Sequence, residues 1–378
     1  LNTLNKKQNL MLKDISTSSF KSLYDSYDEF LTTETLSHCN DYFAIDLFNA
    51  TAEEKIQWYK NLFWVTTDID LGLSHAIQHN QSARNYAHYC TNTELSTKIF
   101  KSPWHETIGA DVEAKPSSNV TIEKVTSGYL INGNVNWLTN LDVADYVTIP
   151  VFDNNNKRFK IIIDLQRIPH NINSSWSQSL GMKTAHPSSL VLDNVTISED
   201  YCMGDYSYPN KFHYAETLNS IAFATNMLGN IVAMYREILD FVTTNNMQRD
   251  LHIIDLENDV FVALKKWLDR LEQFKNPKTL KLSETYWLEH LQLYMFGKKT
   301  LLKAISVSRL LGIQHQLVEG ESSRVFRNAL TFSSHMFKIQ NYNNLWGDNS
   351  HNNINMDLYL KHTFNNLIFN TDIPETWQ

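Results

Sequence analysis

Cysteine is scarce in this 378-residue chain: three residues, Cys39, Cys90 and Cys202, far apart and odd in number. That set suits neither a disulfide framework nor a zinc site, and it predicts a reducing, cytoplasmic setting. Long apolar runs are also missing. No segment reaches about 18 uninterrupted apolar residues, and residues 1–12 carry lysines without the apolar run of a signal peptide, so the sequence predicts no membrane span. Positive charge is short as well. The net charge is -8, and Lys and Arg are dispersed apart from pairs such as Lys265-Lys266 and Lys298-Lys299. A nucleic-acid partner would need a basic stripe, so none is expected.

What is present is a globular composition, 42% apolar, 12% aromatic and 20% charged, which excludes a disordered or collagen-like chain. The length exceeds what one hydrophobic core fills and predicts two or three packed units. Through residues 1–100 apolar residues recur at helical spacing, as in Phe20, Leu23, Tyr24 and Tyr27, then Ile56, Tyr59, Leu62 and Phe63. A helix from about Asp70 to Tyr89 carries Leu71, His75, Gln78, His79, Ser82 and Tyr86 on adjoining faces. His75 and His79, four apart, read either as half a metal site or as polar residues lining a pocket. No third ligand stands at a matching offset, and no metal is expected.

Over residues 101–208 the texture changes to short β-rich runs: Val120 to Val125, Tyr129 to Ile131, Val135 to Thr139, Tyr146 to Phe152, Phe159 to Asp164 and Leu190 to Ile197. Asn132-Gly133 has the chemistry of a type I′ hairpin turn, and Asp153-Asn154-Asn155-Asn156 marks another reversal. An antiparallel barrel or sandwich is expected. Over residues 209–378 helical spacing returns, with Leu218, Ile221, Ala222, Thr225, Leu228, Gly229, Val232, Tyr235 and Leu239 on one face and a second long stretch from Ser283 to Val318. Gly229 costs about 1 kcal/mol against Ala in a helix, so close helix approach is expected there. The fold class is α+β: N-terminal helices, a central β domain and a C-terminal helical bundle.

Trp137 and Thr139 stand two apart on a predicted strand, where side chains share a face. Such a pair is either one half-buried sheet face or a surface that offers a tricyclic flavin ring a flat indole and a hydroxyl.

Gly128 to Gly133, then Trp137-Leu138-Thr139-Asn140 and Ala144-Asp145-Tyr146-Val147, resembles the hairpin of the acyl-CoA dehydrogenase family in which Trp and Thr contact the flavin. Gly181-Met182-Lys183-Thr184-Ala185-His186-Pro187-Ser188, leading into Leu190 to Val195, is similar to the segment that closes the family's β domain. The resemblance implies a C-terminal four-helix bundle, FAD or FMN as cofactor, an acyl-thioester or small-molecule substrate, and a homotetramer or homodimer. It also implies flavin contacts from the loop Trp104 to Asp111, with Thr107, Gly109 and Ala110 closest.

The chain departs from the family at three places. In the loop Trp104 to Asp111, only Gly109 and Asp111 fit the family's flavin-gripping pattern. Thr244 to Asp250 lacks the Arg-x-x-Phe-Gly that helps hold the adenine-diphosphate half, leaving Arg249 as a candidate phosphate partner or a solvated loop arginine. The family's catalytic glutamate is replaced by Asn370, in Phe369-Asn370-Thr371, and its alternative position by Asn219, with Glu216 one turn earlier. Relatives on this fold that take reduced flavin from a separate reductase and use O2 to oxygenate a small substrate need a dry pocket more than a glutamate. The expected activity is accordingly a flavin-dependent monooxygenase, with His75, His79 and His105 as polar pocket groups. The alternatives are an acyl-CoA or acyl-carrier dehydrogenase using Glu216 or another displaced carboxylate as base, and a binding protein that kept only the fold.

Overall fold

The computed structural model describes residues 39–112, 120–155, 157–174, 180–206, 212–275, 284–313 and 321–335. Asn370 and the predicted helix around Phe20 to Tyr27 lie outside them.

Helix α1 (Ala52–Asp68) starts at a capping box: Thr51 Oγ1 accepts from the Glu54 amide and the Glu54 carboxylate accepts from the Thr51 amide. Its next turns bury Trp58, Tyr59, Leu62, Phe63 and Val65. Helix α2 (Leu71–Ala87) is capped by Asp70, which accepts from the Leu73 amide at 2.9 Å. Helix α3 (Thr93–Lys101) leads into the sheet. After the sheet come α4 (His213–Thr244), α5 (Leu251–Glu272), α6 (Glu284–Leu310) and α7 (Glu321–His335). At 32 residues α4 is about 48 Å long and serves as the axis against which α1, α2, α5, α6 and α7 all pack.

Gly229 fulfils its expectation. A Cβ there would lie 2.5 Å from Thr66 Cβ and 3.2 Å from the Phe63 carbonyl, so α1 and α4 touch through the missing side chain. Helices before and after the sheet share one apolar core, in which Tyr59 stacks on Phe274 and Phe63 on Trp267.

Among the described residues eight strands form one sheet: β1 (Gly109–Asp111), β2 (Thr121–Val125), β3 (Gly128–Leu138), β4 (Tyr146–Phe152), β5 (Arg158–Asp164), β6 (Asn171–Ser174), β7 (Ser188–Ile197) and β8 (Cys202–Asp205). Their order is β6-β7-β3-β2-β4-β5-β8, with β1 also on β4. The sheet is mixed rather than antiparallel throughout, because β1 and the start of β2 both run parallel to β4.

Asn132-Gly133 makes no turn. The chain reverses at the two-residue loop Thr126-Ser127, and β3 runs straight through Gly133, which takes φ 131 where the register against β7 slips. The reason is local: Asn132 Oδ1 accepts from the Asn194 amide at 2.6 Å, so the Asn side chain secures a bulge instead of a hairpin. The reversal at Asp153 is present, its Oδ1 accepting from the amides of Asn155 and Lys157, both at 2.8 Å.

Candidate functional site

Helix α2 is buried along almost its whole length although it is rich in polar residues. Its side chains are spent on the backbone of residues 104–111. Arg84 donates to the Thr107 carbonyl at 3.2 Å, and Asn80 accepts from the Gly109 amide at 2.9 Å and donates to the Trp104 carbonyl at 3.3 Å. His79 Nδ1 meets the Asp111 carbonyl at 2.9 Å. Buried polar groups persist only when paired, and here each pairing fixes one step of the loop and of β1.

Asn140 joins the same frame from the end of β3. Its Nδ2 donates to the Ala76 carbonyl at 2.8 Å and the Gly109 carbonyl at 3.3 Å, while its amide donates to the Ala185 carbonyl at 3.0 Å. Among the described residues six non-glycines have positive φ, and four of them, Trp137, Asn140, Met182 and His186, lie in these two abutting segments. Left-handed backbone costs a non-glycine residue about 1–2 kcal/mol, and such strain concentrates at functional sites. The segment 180–188 is held from below as well. Met182 donates its amide to Asn328 Oδ1 at 2.6 Å, Thr184 bonds Asp70, and a Cβ at Gly181 would lie 2.4 Å from the Arg327 carbonyl of α7. His186 Nδ1 lies 2.8 Å from Asp142 Oδ2.

Trp137 and Thr139 do not form the regular strand pair that their spacing predicts. The register against β7 shifts between Val135 and Leu138, Trp137 is left-handed at φ 64, and the strand ends at Leu138. The two-residue period therefore does not carry from one to the other. Trp137 stays half-buried, whereas Thr139 is 2% exposed.

Thr107 and Gly109 are tied to α2 through Arg84 and Asn80, Ala110 follows on β1, His79 of α2 meets the Asp111 carbonyl, and Thr139 precedes the Asn140 that bonds the Ala76 carbonyl. Gly109, however, is small because Ala83 and Tyr146 crowd it: a Cβ would lie 2.5 Å from Ala83 Cβ and 2.8 Å from the Tyr146 hydroxyl. Its amide, bonded to Asn80, and that of Ile108, bonded to Asp145, are taken. A flavin thus does not fit along the 107–110 loop as a backbone N–H cradle. What is left for a flat ring is the half-buried face of Trp137 at the bulge; beside it Asn140 and Ser188 are fully buried, and their Oδ1 and Oγ have no hydrogen-bond partner among the described residues.

Glu216 stands elsewhere. It bonds Tyr206, whose hydroxyl lies 3.3 Å from that of Tyr86, ten residues or about 15 Å along α2 from the Ala76 that holds Asn140. Asn219 accepts from Asn85 Nδ2 at 2.9 Å, and Arg249 pairs with Glu257 at 3.2 Å on the surface.

Burial pushes the Tyr206 phenol well above its usual range, and Glu216 and Tyr86 add to the push. Burial also raises Tyr146, with Arg84 opposing and Asp145 and Asp111 reinforcing. A folded-state value above the unfolded one gives stability that is complete below the ordinary phenol value of about 10 and is lost as pH rises past it. These two phenols should therefore ionise only as the chain unfolds. Tyrosinate absorbance and far-ultraviolet ellipticity followed together through alkaline pH will show it, and full ionisation with intact helix would contradict it.

Sequence reading passed over Lys160. It is fully buried, donating to Asp111 Oδ1 at 2.8 Å and the Val112 carbonyl at 3.0 Å, with the Tyr86 ring 3.9 Å away. The signal was available: Lys160 shares a strand face with Ile162, within the apolar run Ile161-Ile162-Ile163.

No family model matches the sequence, and no curated protein does. Solved structures do match. A glutaryl-coenzyme A dehydrogenase in complex with glutaryl-CoA superposes with TM-score 0.69 at 14% identity, covering 87% of this chain and 91% of that one. A glutaryl-CoA dehydrogenase from Mycobacterium smegmatis in complex with FADH2 gives TM-score 0.66 at 12% identity, over 92% and 96%. The dibenzothiophene monooxygenase TdsC from Paenibacillus sp. A11-2 gives 0.62 at 13%, over 90% of each chain. With helices before and after a mixed sheet and such similarity over nearly its whole length, the chain has the acyl-CoA dehydrogenase superfamily fold.

Proposed function

We propose that this protein is a flavin-dependent oxidoreductase of monooxygenase type, binding FAD against Trp137. The observation that carries the reading is the strained junction of 137–142 with 182–188, where a bulge turns a half-buried indole out of the strand. Bulges re-aim side chains beside active sites, and an aromatic face suits a flat ring. The bound flavin, reduced by a separate reductase, supplies two electrons to O2, so that one oxygen enters a small or carrier-bound substrate and the other leaves as water. The chain's own part would be to stack the ring on the half-buried face of Trp137, with the buried Thr139, Asn140 and Ser188 and the segment of Thr107, Gly109 and Ala110 as the packed wall behind it. His79 lies behind that wall.

Dehydrogenase chemistry needs a carboxylate across the substrate from the flavin ring. Glu216 is engaged with Tyr206 and Asn219 with Asn85, which supports the oxygenase reading over that alternative. Self-association as a homodimer or homotetramer belongs to the proposal too, supported by an exposed apolar stripe on α5: Leu251, Ile254, Phe261 and Val262.

The test is a fluorescence titration with FAD and FMN, oxidised and reduced, with light scattering on the same samples. Saturable binding, weakened about tenfold in Trp137→Ala by loss of one ring stack worth about 1.5 kcal/mol, is the expected result. Indifference to all four flavins would leave a binding protein on a borrowed fold. Loss of α-proton exchange on an acyl-thioester in Glu216→Gln, with flavin still bound, would restore the dehydrogenase.

A further inference from the structure

Arg84 of α2 is an enclosed charge without a counter-charge. It keeps 8% of its surface exposed, and among the described residues it forms no ion pair. Its hydrogen bonds all leave from one nitrogen: Nη2 lies 3.2 Å from the Thr107 carbonyl, 3.3 Å from that of Trp104 and 3.5 Å from that of Pro103. A guanidinium carries five N–H donors, of which Nη2 holds two. The other three, on Nε and Nη1, have no acceptor among the described residues, and Nε is sealed from solvent. Carbonyl oxygens orient such a group but carry only partial charge, so the full positive charge stays unanswered.

The carboxylates of the surrounding elements are committed elsewhere. Asp46 meets His88 at 2.8 Å and accepts from Asn49 at 2.7 Å, and Asp145 accepts from the Ile108 amide at 2.9 Å and from Gln166 at 2.8 Å. Asp111 answers Lys160 and Thr148. Burial accordingly pushes Arg84 below the ordinary guanidinium range, with Tyr146 and Asp46 opposing. Two more polar groups beside the same loop are unmatched among the described residues. Trp104, whose carbonyl Arg84 holds, is 3% exposed and has no acceptor for its indole N–H, and the fully buried Tyr146, against Gly109, has no partner for its hydroxyl. Buried donors need an acceptor, and donors gathered beside a fixed cation select an anion.

We propose that Arg84, Trp104 and Tyr146 form an anion site between α2 and the segment 103–109, which takes the carboxylate of a small organic acid. A carboxylate brings two oxygens in the plane of the guanidinium fork, and its single charge balances Arg84. Sulfate would bring a second charge, and the nearby Lys160 is already paired. Solvent reaches Arg84 before the more deeply buried Trp104 and Tyr146, so the acid enters past the arginine. Because Arg84 also holds the Trp104 and Thr107 carbonyls, an occupied site steadies the strip along α2. The inference goes beyond the flavin reading and stands or falls without a cofactor.

The indole N–H signal of Trp104 in the flavin-free full chain labelled with 15N-tryptophan, assigned by Trp104→Phe, reads the site directly. It should shift saturably as sodium acetate replaces sodium chloride at fixed ionic strength and pH 7, with formate acting alike and sulfate without effect. Arg84→Gln keeps an N–H for the loop carbonyls but no charge, and should need at least about ten times more acetate for the same shift, as the loss of a charge-assisted bond predicts. A signal that ignores acetate, that responds as readily to sulfate, or that keeps its acetate dependence in Arg84→Gln would overturn the proposal. Should that variant fail to fold, Tyr146→Phe takes its place: binding about threefold weaker supports the site, and unchanged binding counts against it.

Discussion

Replacing Asp111 with alanine should lower stability by about 3–5 kcal/mol, a large part of what holds an ordinary domain folded. Lys160 is completely enclosed, and Asp111 is the carboxylate that answers its charge. Without it the ammonium keeps the Val112 carbonyl and the faces of Tyr86 and Tyr206, at 3.9 and 5.4 Å. Those contacts are worth far less than the hydration it gave up. Thr148, which donates to the same carboxylate oxygen, loses its acceptor in the same step. Urea denaturation reads the loss. The double variant Asp111→Ala with Lys160→Met should recover most of it, because removing both charges leaves no buried ion, and a double variant as weak as the single one would refute this account. The His79 contact uses the Asp111 backbone and should survive in both proteins.

The second large effect is expected from Gly229→Leu, about 3 kcal/mol of destabilisation despite a gain in helix propensity of about 0.8 kcal/mol. The side chain has no room, since even its first carbon would lie 2.5 Å from Thr66 Cβ and 2.8 Å from Thr66 Cγ2. Displacing Thr66 also disturbs Asn226 and Ser74, both within hydrogen-bond distance of its hydroxyl. Thermal denaturation should show a fall of several degrees, and a variant as stable as the parent would mean that α1 and α4 stand further apart than described.

The order of elements and the helix faces were readable in the sequence because periodicity and caps are local: Thr51 with Glu54, Asp70, and the apolar face running through Leu218, Ile221 and Leu228. A close helix approach at Gly229 could be inferred from one glycine in a helix, but not that α1 is the helix it meets. What escaped depends on partners distant in sequence. Asn132-Gly133 has turn chemistry, but the Asn194 amide, 62 residues away, takes its side chain and makes a bulge. Trp137 and Thr139 keep a two-residue spacing that the slip against β7 makes irrelevant. Gly109 reads as a cradle for a ligand, although Ala83 and Tyr146 give it a packing reason to be small. Lys160 was missed because a lone lysine in a strand ordinarily faces water.

Helix α2 treats the strip from Trp104 to Asp111 as a template treats its copy, with Asn80, Arg84 and His79 each reading particular backbone groups. Substitution has little to gain there, since a changed residue keeps the same backbone trace and a changed trace forfeits several bonds together. Diversity belongs instead at the bulge around Trp137 and in the facing segment 182–186, where the chain already tolerates unfavourable torsions and where glycine could exchange stored strain for plasticity.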